Sequence, residues 1–211
     1  MSGAVVIQVV IGVAAALALV PVIAFCLFPR SVRAWFEAGP EGVDAAAPEA
    51  VRELVAALRE MGFQPLGVKV EKPPLRPVLR ELSFVAADRQ CYAAIGAVRP
   101  RSRLYFYTPF PEGGLALTSN GAFPKISSPR VAQRSFPGAG PRDLLERHRE
   151  ALASLGRRGE VSAAPESRIE ATYAYYATPE VRRVLGRTAA LLLAWLVGLE
   201  WLLIGRHLPL R

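Results

Sequence analysis

The sequence contains only two cysteines and two histidines among its 211 residues, and each shortage excludes a class of protein. Cys26 lies in an apolar run and Cys91 in a predicted strand, so the two thiols are not expected to meet and no disulfide is predicted. His148 is the only histidine in the polar part of the chain. A zinc site needs further ligands at a suitable spacing, and the sequence offers none. We therefore expect neither a disulfide framework nor a metal site.

Signatures of catalysis and of nucleotide binding are also lacking. Gly138 and Gly140 are not followed by the Lys-Ser/Thr pair of a phosphate-binding loop. Cys91 has no neighbouring histidine or lysine that would lower the pKa of its thiol, which favours a small core residue over a nucleophile. We expect no cofactor, and the chain is more typical of a non-enzyme than of an enzyme.

His148 has two interpretations. It lies in an apolar stripe of a predicted helix together with Leu145, Leu152 and Leu155. A general base beside an arginine or an acid is one interpretation. The stripe favours the other, a buried imidazole that makes hydrogen bonds within the core.

Long apolar runs are present at both ends of the chain. The first covers Ala4–Phe28 and the second Thr188–Ile204. A helix rises about 1.5 Å per residue, so the first run could cross a hydrocarbon core of about 30 Å. Thr178-Pro179-Glu180 is typical of a helix start, which predicts a helix over residues 178–205 that continues into the second span. The runs predict a double-pass protein of the cell membrane.

Basic residues near the two runs predict its orientation. Five of them flank the runs on the side of the central segment, against two in the tails. By the positive-inside rule, the domain of residues 29–177 is expected in the cytoplasm and both termini outside. The formal net charge of +8 also makes anionic lipid headgroups a candidate partner, although scattered charges of this kind equally serve solubility.

The central segment predicts an α+β fold. Apolar periodicity predicts amphipathic helices over Pro48–Met61 and Pro141–Leu155. Between them, period-two runs separated by short turns predict an antiparallel β-meander of four to five strands, with the two helices on one face. These strands are expected at Pro65–Lys72, Leu79–Ala86, Gln90–Val98, Arg103–Thr108 and Leu115–Thr118. Ser127–Phe136 is a candidate edge strand, and Ile169–Ala177 fits either a strand or a helix.

Candidate interaction residues fall into two groups. Arg99, Arg101 and Arg103 crowd one turn of the sheet and could bind phosphates or a partner's carboxylates, or could simply be solvated. Nucleic acid is not expected, because no stacking motif accompanies these arginines. The second group lies in the second apolar run. Its small residues have a spacing that suits close packing of helices. Its acidic residue could form a salt bridge at the membrane interface, contact a partner, or take part in ion or proton transfer. The residues of this group are Ala190, Ala194, Gly198 and Glu200.

Two functions remain open from the sequence. The first hypothesis is a membrane-anchored, non-catalytic accessory protein whose domain binds a protein partner, a membrane complex or a second copy of the chain. The alternative is a membrane-tethered enzyme or small-ligand sensor. It predicts a concave pocket between sheet and helices that holds His148, Tyr105 or Tyr107, and an arginine.

Overall fold

The fold is given by a computed structural model, which describes residues 10, 14, 17, 19–75, 77–98 and 101–204. The side chains of residues 30, 97, 98, 101 and 195–204 lie outside this description. The described chain is built around one eight-stranded sheet. Its strands are β1 (Arg33–Ala38), β2 (Phe63–Lys72), β3 (Leu79–Ala86), β4 (Tyr92–Val98), β5 (Arg101–Pro109), β6 (Leu115–Ser119), β7 (Ile126–Ser127) and β8 (Val131–Ser135).

The order of the strands is β1-β2-β3-β4-β5-β6-β8-β7. Neighbours run antiparallel as far as β6, because the connections from β2 onward are too short for a crossover. Strand β8 pairs with β6 in parallel, and β7 then pairs antiparallel with β8. A β-bulge lies between Pro65 and Gly67 in β2, where Gly67 has a positive φ of 135° and packs under the carbonyl of Ala38.

Helices cover both faces of the sheet. A short helix α1 (Gly42–Ala46) precedes α2 (Glu49–Glu60), and α3 (Pro141–Ser154) lies on the same face. Helix α4 (Pro165–Ala177) and the first turns of α5 (Pro179–Ile204) cover the other face. We call the face under α2 and α3 the first face, and the face under α4 and α5 the second face.

The first face is a packed hydrophobic core. Leu58 of α2 and Leu144 of α3 are fully buried in one core cluster with Phe84 and Phe106, which point to the same face because both pair with Ala93 of β4. The apolar stripe of α2 was the basis for predicting this helix, and the stripe is the surface that it buries. This half of the domain therefore follows the sequence pattern closely.

The predicted architecture needs two corrections. The class is α+β, but the sheet has eight strands rather than four to five, and the helices cover two faces rather than one. Arg33–Ala38, which was not among the predicted strands, pairs with β2 as an edge strand. Val131–Ser135 is an inner strand between β6 and β7, and Pro165–Ala177 is a helix.

The two predicted spans also need correction. Within the described ranges, no helix is long and apolar enough to cross a membrane. Much of Ala4–Phe28 lies outside the described residues, and its described end packs on the domain, where Phe25 contacts the ring of Tyr176 edge-on. On this finding the prediction of a double-pass protein of the cell membrane with a cytoplasmic domain is wrong.

The start of α5 packs on the domain. Its first three turns carry charged residues at positions 180, 182, 183 and 187. Their apolar neighbours Val181, Val184 and Leu185 pack against the second face of the sheet. The beginning of this helix therefore belongs to the core of the domain. The apolar run that follows it in the sequence gives no sign of this packing.

Candidate functional site

The second face carries a row of residues that the strand register sets side by side. Lys69 of β2 pairs with Glu81 of β3, Glu81 with Gly96 of β4, and Gly96 with Arg103 of β5. Directly paired residues point to the same face of a sheet, so this row is fixed by the backbone. The row that faces α4 and α5 therefore consists of two charged side chains, a glycine without a side chain, and a third charged side chain.

Two cations share one carboxylate in this row. Lys69 Nζ lies 2.7 Å from Glu81 Oε1, and Arg168 Nη2 of α4 lies 2.8 Å from the same oxygen. The side chains of Lys69 and Arg168 are 0% and 2% exposed. Buried charges are tolerated only when they are paired and hydrogen-bonded, and this cluster meets both conditions.

Hydroxyl groups complete the cluster. Tyr105 donates a short hydrogen bond to Glu81 Oε2, and its oxygen accepts one from Arg168 Nη2 at 2.9 Å. Thr172 Oγ1 accepts from Lys69 Nζ at 2.7 Å and from Arg168 Nη1 at 3.1 Å. Every member therefore has at least two polar partners, which holds its side chain in one position. We call Lys69, Glu81, Tyr105, Arg168 and Thr172 the buried charge cluster.

The pKa shifts in the cluster follow from these contacts. Burial alone would raise the pKa of Glu81, but Lys69 and Arg168 outweigh it and lower that pKa below its usual 4.5. Burial raises the pKa of Tyr105 well above 10, and the adjacent Glu81 carboxylate adds to the effect. Glu81 is therefore ionised and Tyr105 is a neutral phenol, so the tyrosine acts as a hydrogen-bond donor and not as a base.

A cavity of about 580 Å³ lies beside the cluster, between the second face and helices α4 and α5. Its wall includes the rings of Tyr105, Tyr107 and Tyr175 and the buried guanidinium of Arg168. Ligand-binding pockets occupy roughly 300–1,000 Å³, so the size suits a small organic molecule. Apolar side chains from the sheet, the β6–β7 loop and α5 supply the rest of the wall: Leu79, Leu117, Phe123, Ile126, Val181 and Leu185.

Gly96 accounts for part of this space. It lines the cavity, and a Cβ built at this position meets no heavy atom within 4 Å. Its φ lies outside the positive range, so the backbone does not require glycine. Glycine in the interior of a strand weakens the strand and commonly marks close approach of another group. The residue therefore leaves a gap in the row between Glu81 and Arg103.

Two polar groups at the cavity lack a protein partner among the described residues. Gln133 is 1% exposed and donates from Nε2 to the Pro124 carbonyl at 2.8 Å, yet its Oε1 accepts no hydrogen bond. Arg168 Nε is also unpartnered, although its guanidinium lies 5.4–6.0 Å from the centroids of three tyrosine rings, which favour a cation. An unpaired buried acceptor costs free energy until a donor reaches it.

The predicted histidine lies elsewhere. His148 is fully buried on the first face, where its Nε2 and Nδ1 lie 3.0 and 3.2 Å from the hydroxyls of Thr108 and Thr118. Thr108 donates to the Gln90 carbonyl, so its oxygen accepts from Nε2–H. Burial, with a smaller effect of Arg149, lowers the pKa of His148 to about 3. The imidazole is neutral, and the sheet separates it from the large cavity.

The other predicted site residues are only partly brought together. Arg103 is half-buried and lines the cavity, whereas Arg99 lies outside the described residues and the side chain of Arg101 is not described. Ala190 and Ala194 are exposed on α5. Gly198 and Glu200 are helical, with surroundings outside the description. The roles proposed for these residues stay predictions.

Sequence reasoning missed most of the site. Lys69 and Glu81 alternate with apolar residues and therefore resemble the solvent face of a two-layer fold. Arg168 lies just before Ile169–Ala177, the segment whose pattern fits either a strand or a helix. The one available signal was Gly96, a glycine within an apolar strand. Among the described residues, no group of three or more His, Cys, Asp or Glu side chains is arranged to hold a metal ion.

Comparison of the chain with protein-family models, with curated proteins and with solved structures finds no match. Fold and site geometry are therefore the grounds for a functional assignment.

Proposed function

We propose that the domain binds a small, largely apolar molecule in the cavity between the second face of the sheet and helices α4 and α5. The cavity at Gly96 carries this proposal. A strand glycine that the backbone does not require leaves a void, where any larger apolar residue would have filled the core. The rigid charge cluster beside it supplies a preformed wall, which reduces the entropy that binding must overcome.

Binding is favoured over catalysis by the state of the polar groups. Glu81 already accepts from two cations and a tyrosine, so it is poorly placed to take a proton from a substrate. Tyr105 is held as a neutral phenol. The histidine that would have served an enzyme lies on the opposite face. These observations support the ligand-sensor half of the alternative hypothesis.

The test is a titration with the neutral fluorescent probe pyrenebutanol. We expect saturable binding by the purified 211-residue chain, and at least about a tenfold weaker affinity for Gly96→Leu, because the new side chain occupies the cavity. Gly140→Leu is the matched control, since Gly140 precedes α3, does not line the cavity and also has open space at its Cβ. Equal affinity of the native chain and Gly96→Leu would contradict the proposal.

Binding of a protein partner is a second candidate function. It is favoured by exposed apolar side chains on α5, where Leu191 and Leu193 are 71% and 42% exposed, and by Phe28 near the N-terminal end, which is 61% exposed. Sedimentation analysis of the native chain and of Leu191→Glu tests it. We expect the native chain to self-associate or to retain a partner and the variant to do so less; a monomer in both cases would count against it.

A further inference from the structure

Arg103 is the one lining cation of the described residues that has no carboxylate partner. Arg168 pairs with Glu81 inside the cavity wall, and Arg80 pairs at the rim with Glu37, whose oxygens lie 2.7 and 3.0 Å from its Nε and Nη2. No carboxylate of the described chain lies within 4 Å of Arg103. The guanidinium is always charged at physiological pH and is half-buried, so a compensating anion would be favourable.

The side chain of Arg103 is held in place by the β6–β7 loop. Its guanidinium carbon lies 4.9 Å from the centroid of the Phe123 ring. A Cβ at Gly121 would stand 2.4 Å from Arg103 Nε, so this glycine gives the arginine room to lie along the loop. A guanidinium that stacks on a ring still offers the donors on its edge, and a fixed guanidinium loses little entropy when a ligand binds.

The same loop connects Arg103 to the unpaired acceptor. Phe123 and Ser135 exchange two hydrogen bonds, which join the loop to β8. The next carbonyl, that of Pro124, fixes the Gln133 amide and leaves Gln133 Oε1 free. The β6–β7 loop therefore contacts Arg103 of β5 on one side and fixes Gln133 of β8 on the other, and both residues line one cavity.

The charges of the described residues that line the cavity favour a monoanionic ligand. The cations of the charge cluster pair with Glu81 and Glu71, so among the described side chains that line the cavity Arg103 supplies the one positive charge without a carboxylate partner. A phosphate dianion would bring a second negative charge into a mainly apolar space without a partner, which is unfavourable. A carboxylate matches both the charge and the planar fork of the arginine.

We infer that the ligand is an amphiphilic organic acid whose carboxylate binds Arg103 and whose apolar body fills the cavity at Gly96. This inference rests on the proposed function and specifies the ligand of that same site. The charged end lies near the loop, and the apolar body lies among Leu117, Val181 and Leu185.

The test compares two probes with the same skeleton, pyrenebutanoate and pyrenebutanol. The native chain is expected to bind the acid at least about tenfold more tightly than the alcohol, because a carboxylate forms a charge-assisted, two-pronged pair with the guanidinium, whereas an uncharged hydroxyl offers it a single acceptor. Arg103→Gln should remove this preference while binding of the alcohol stays within about threefold. Arg103→Lys should keep part of it, since the charge remains without the planar fork.

Arg142→Gln is the matched control, because it removes one positive charge from an exposed position on α3, at the first face. We expect it to keep the full preference for the acid. Equal affinity of the native chain for both probes, or a preference that survives in Arg103→Gln, would overturn the carboxylate inference while leaving the proposed function intact. Failure of both probes to bind the native chain, or binding unaffected by Gly96→Leu, would overturn the proposed function itself.

Discussion

Arg168 Nη2 lies 2.8 Å from Glu81 Oε1, and this contact joins helix α4 to the centre of the sheet across 87 residues of sequence. Lys69 approaches the same oxygen from β2. The pair is enclosed by tyrosine rings and is largely shielded from water. Its role in our account is to hold α4 over the second face, so that the cavity keeps its shape when it is empty.

Replacing Arg168 should destabilise the domain strongly. Arg168→Met removes one cation from a buried cluster and leaves the carboxylates of Glu71 and Glu81 with Lys69 alone. Breaking a buried ion pair from one side costs about 3–5 kcal/mol. We expect a loss of that order in the free energy of unfolding, measured by urea denaturation.

The double variant Arg168→Met/Glu81→Gln separates pairing from packing. If the two groups stabilise one another, the double variant loses less free energy of unfolding than the two single variants lose together. The reason is that the double variant leaves neither Arg168 nor Glu81 as a buried charge without its partner. Additive losses would show that the contact contributes nothing beyond the packing of each side chain.

The free energy of unfolding should fall as pH is lowered from about 6.5, because of His148. The pKa of this group is about 3 in the folded chain and 6.5 in the unfolded chain. Below pH 6.5 the unfolded state binds a proton that the folded state does not, so the stabilisation is complete above pH 6.5 and is lost on acidification. The contribution of His148 to the slope of the free energy of unfolding against pH approaches about 1.4 kcal/mol per pH unit.

His148→Gln provides the comparison, since an amide can still bond to the two threonine hydroxyls. Urea unfolding between pH 6.5 and 4.5 isolates the histidine, because carboxyl groups titrate mainly below that window. We expect a steeper pH dependence for the native chain than for the variant. Parallel curves would mean that the imidazole is protonated in the folded chain.

Cys91 should be nearly inert towards alkylation. Burial, assisted by Asp88, raises the pKa of its thiol from 9.0 to about 12, and the residue is 2% exposed. The thiolate is the reactive form, and at pH 8 its population falls by about three orders of magnitude. In a Cys26→Ala background, iodoacetamide should modify the folded chain far more slowly than the urea-unfolded chain. Equal rates would contradict the buried position.

The sequence predicts the first face well because each signal there is local. The apolar stripe of α2 and the start of α3 at Pro141 lie at the predicted positions, and strands β2 to β6 match their predicted runs to within a few residues. A short turn is enough to make two consecutive strands antiparallel neighbours, so this pairing can be predicted without information about distant contacts. These are the parts of the fold in which neighbours in the chain are also neighbours in space.

The second face could not be predicted in the same way. Strand β1 pairs with β2 only after two helices intervene, and β8 inserts beside β6 in parallel, so neither pairing has a local signal. The partners Lys69, Glu81 and Arg168 are distant in sequence, and alternation alone suggested that the first two face water. The membrane prediction is wrong because no helix of the described residues is long and apolar enough to cross a membrane.

Gly96→Ala should stabilise the empty domain. A Cβ at this position meets no atom, and the backbone needs no positive φ, so the substitution restricts the unfolded chain without straining the folded one. Such changes add about 0.4–1 kcal/mol to the free energy of unfolding. Urea denaturation of ligand-free protein measures the gain, and a loss of stability would show that Gly96 is required by the fold rather than by a ligand.

Native mass spectrometry of the chain as recovered from cells tests the central claim most directly, since it asks whether the cavity beside the Arg168–Glu81 pair is occupied. We expect the native chain and Gly140→Leu to carry a small organic molecule that dissociates on denaturation, and Gly96→Leu to fold without it. An identical bound molecule on Gly96→Leu, or ligand-free native chain that also fails to bind either pyrene probe, would contradict the account.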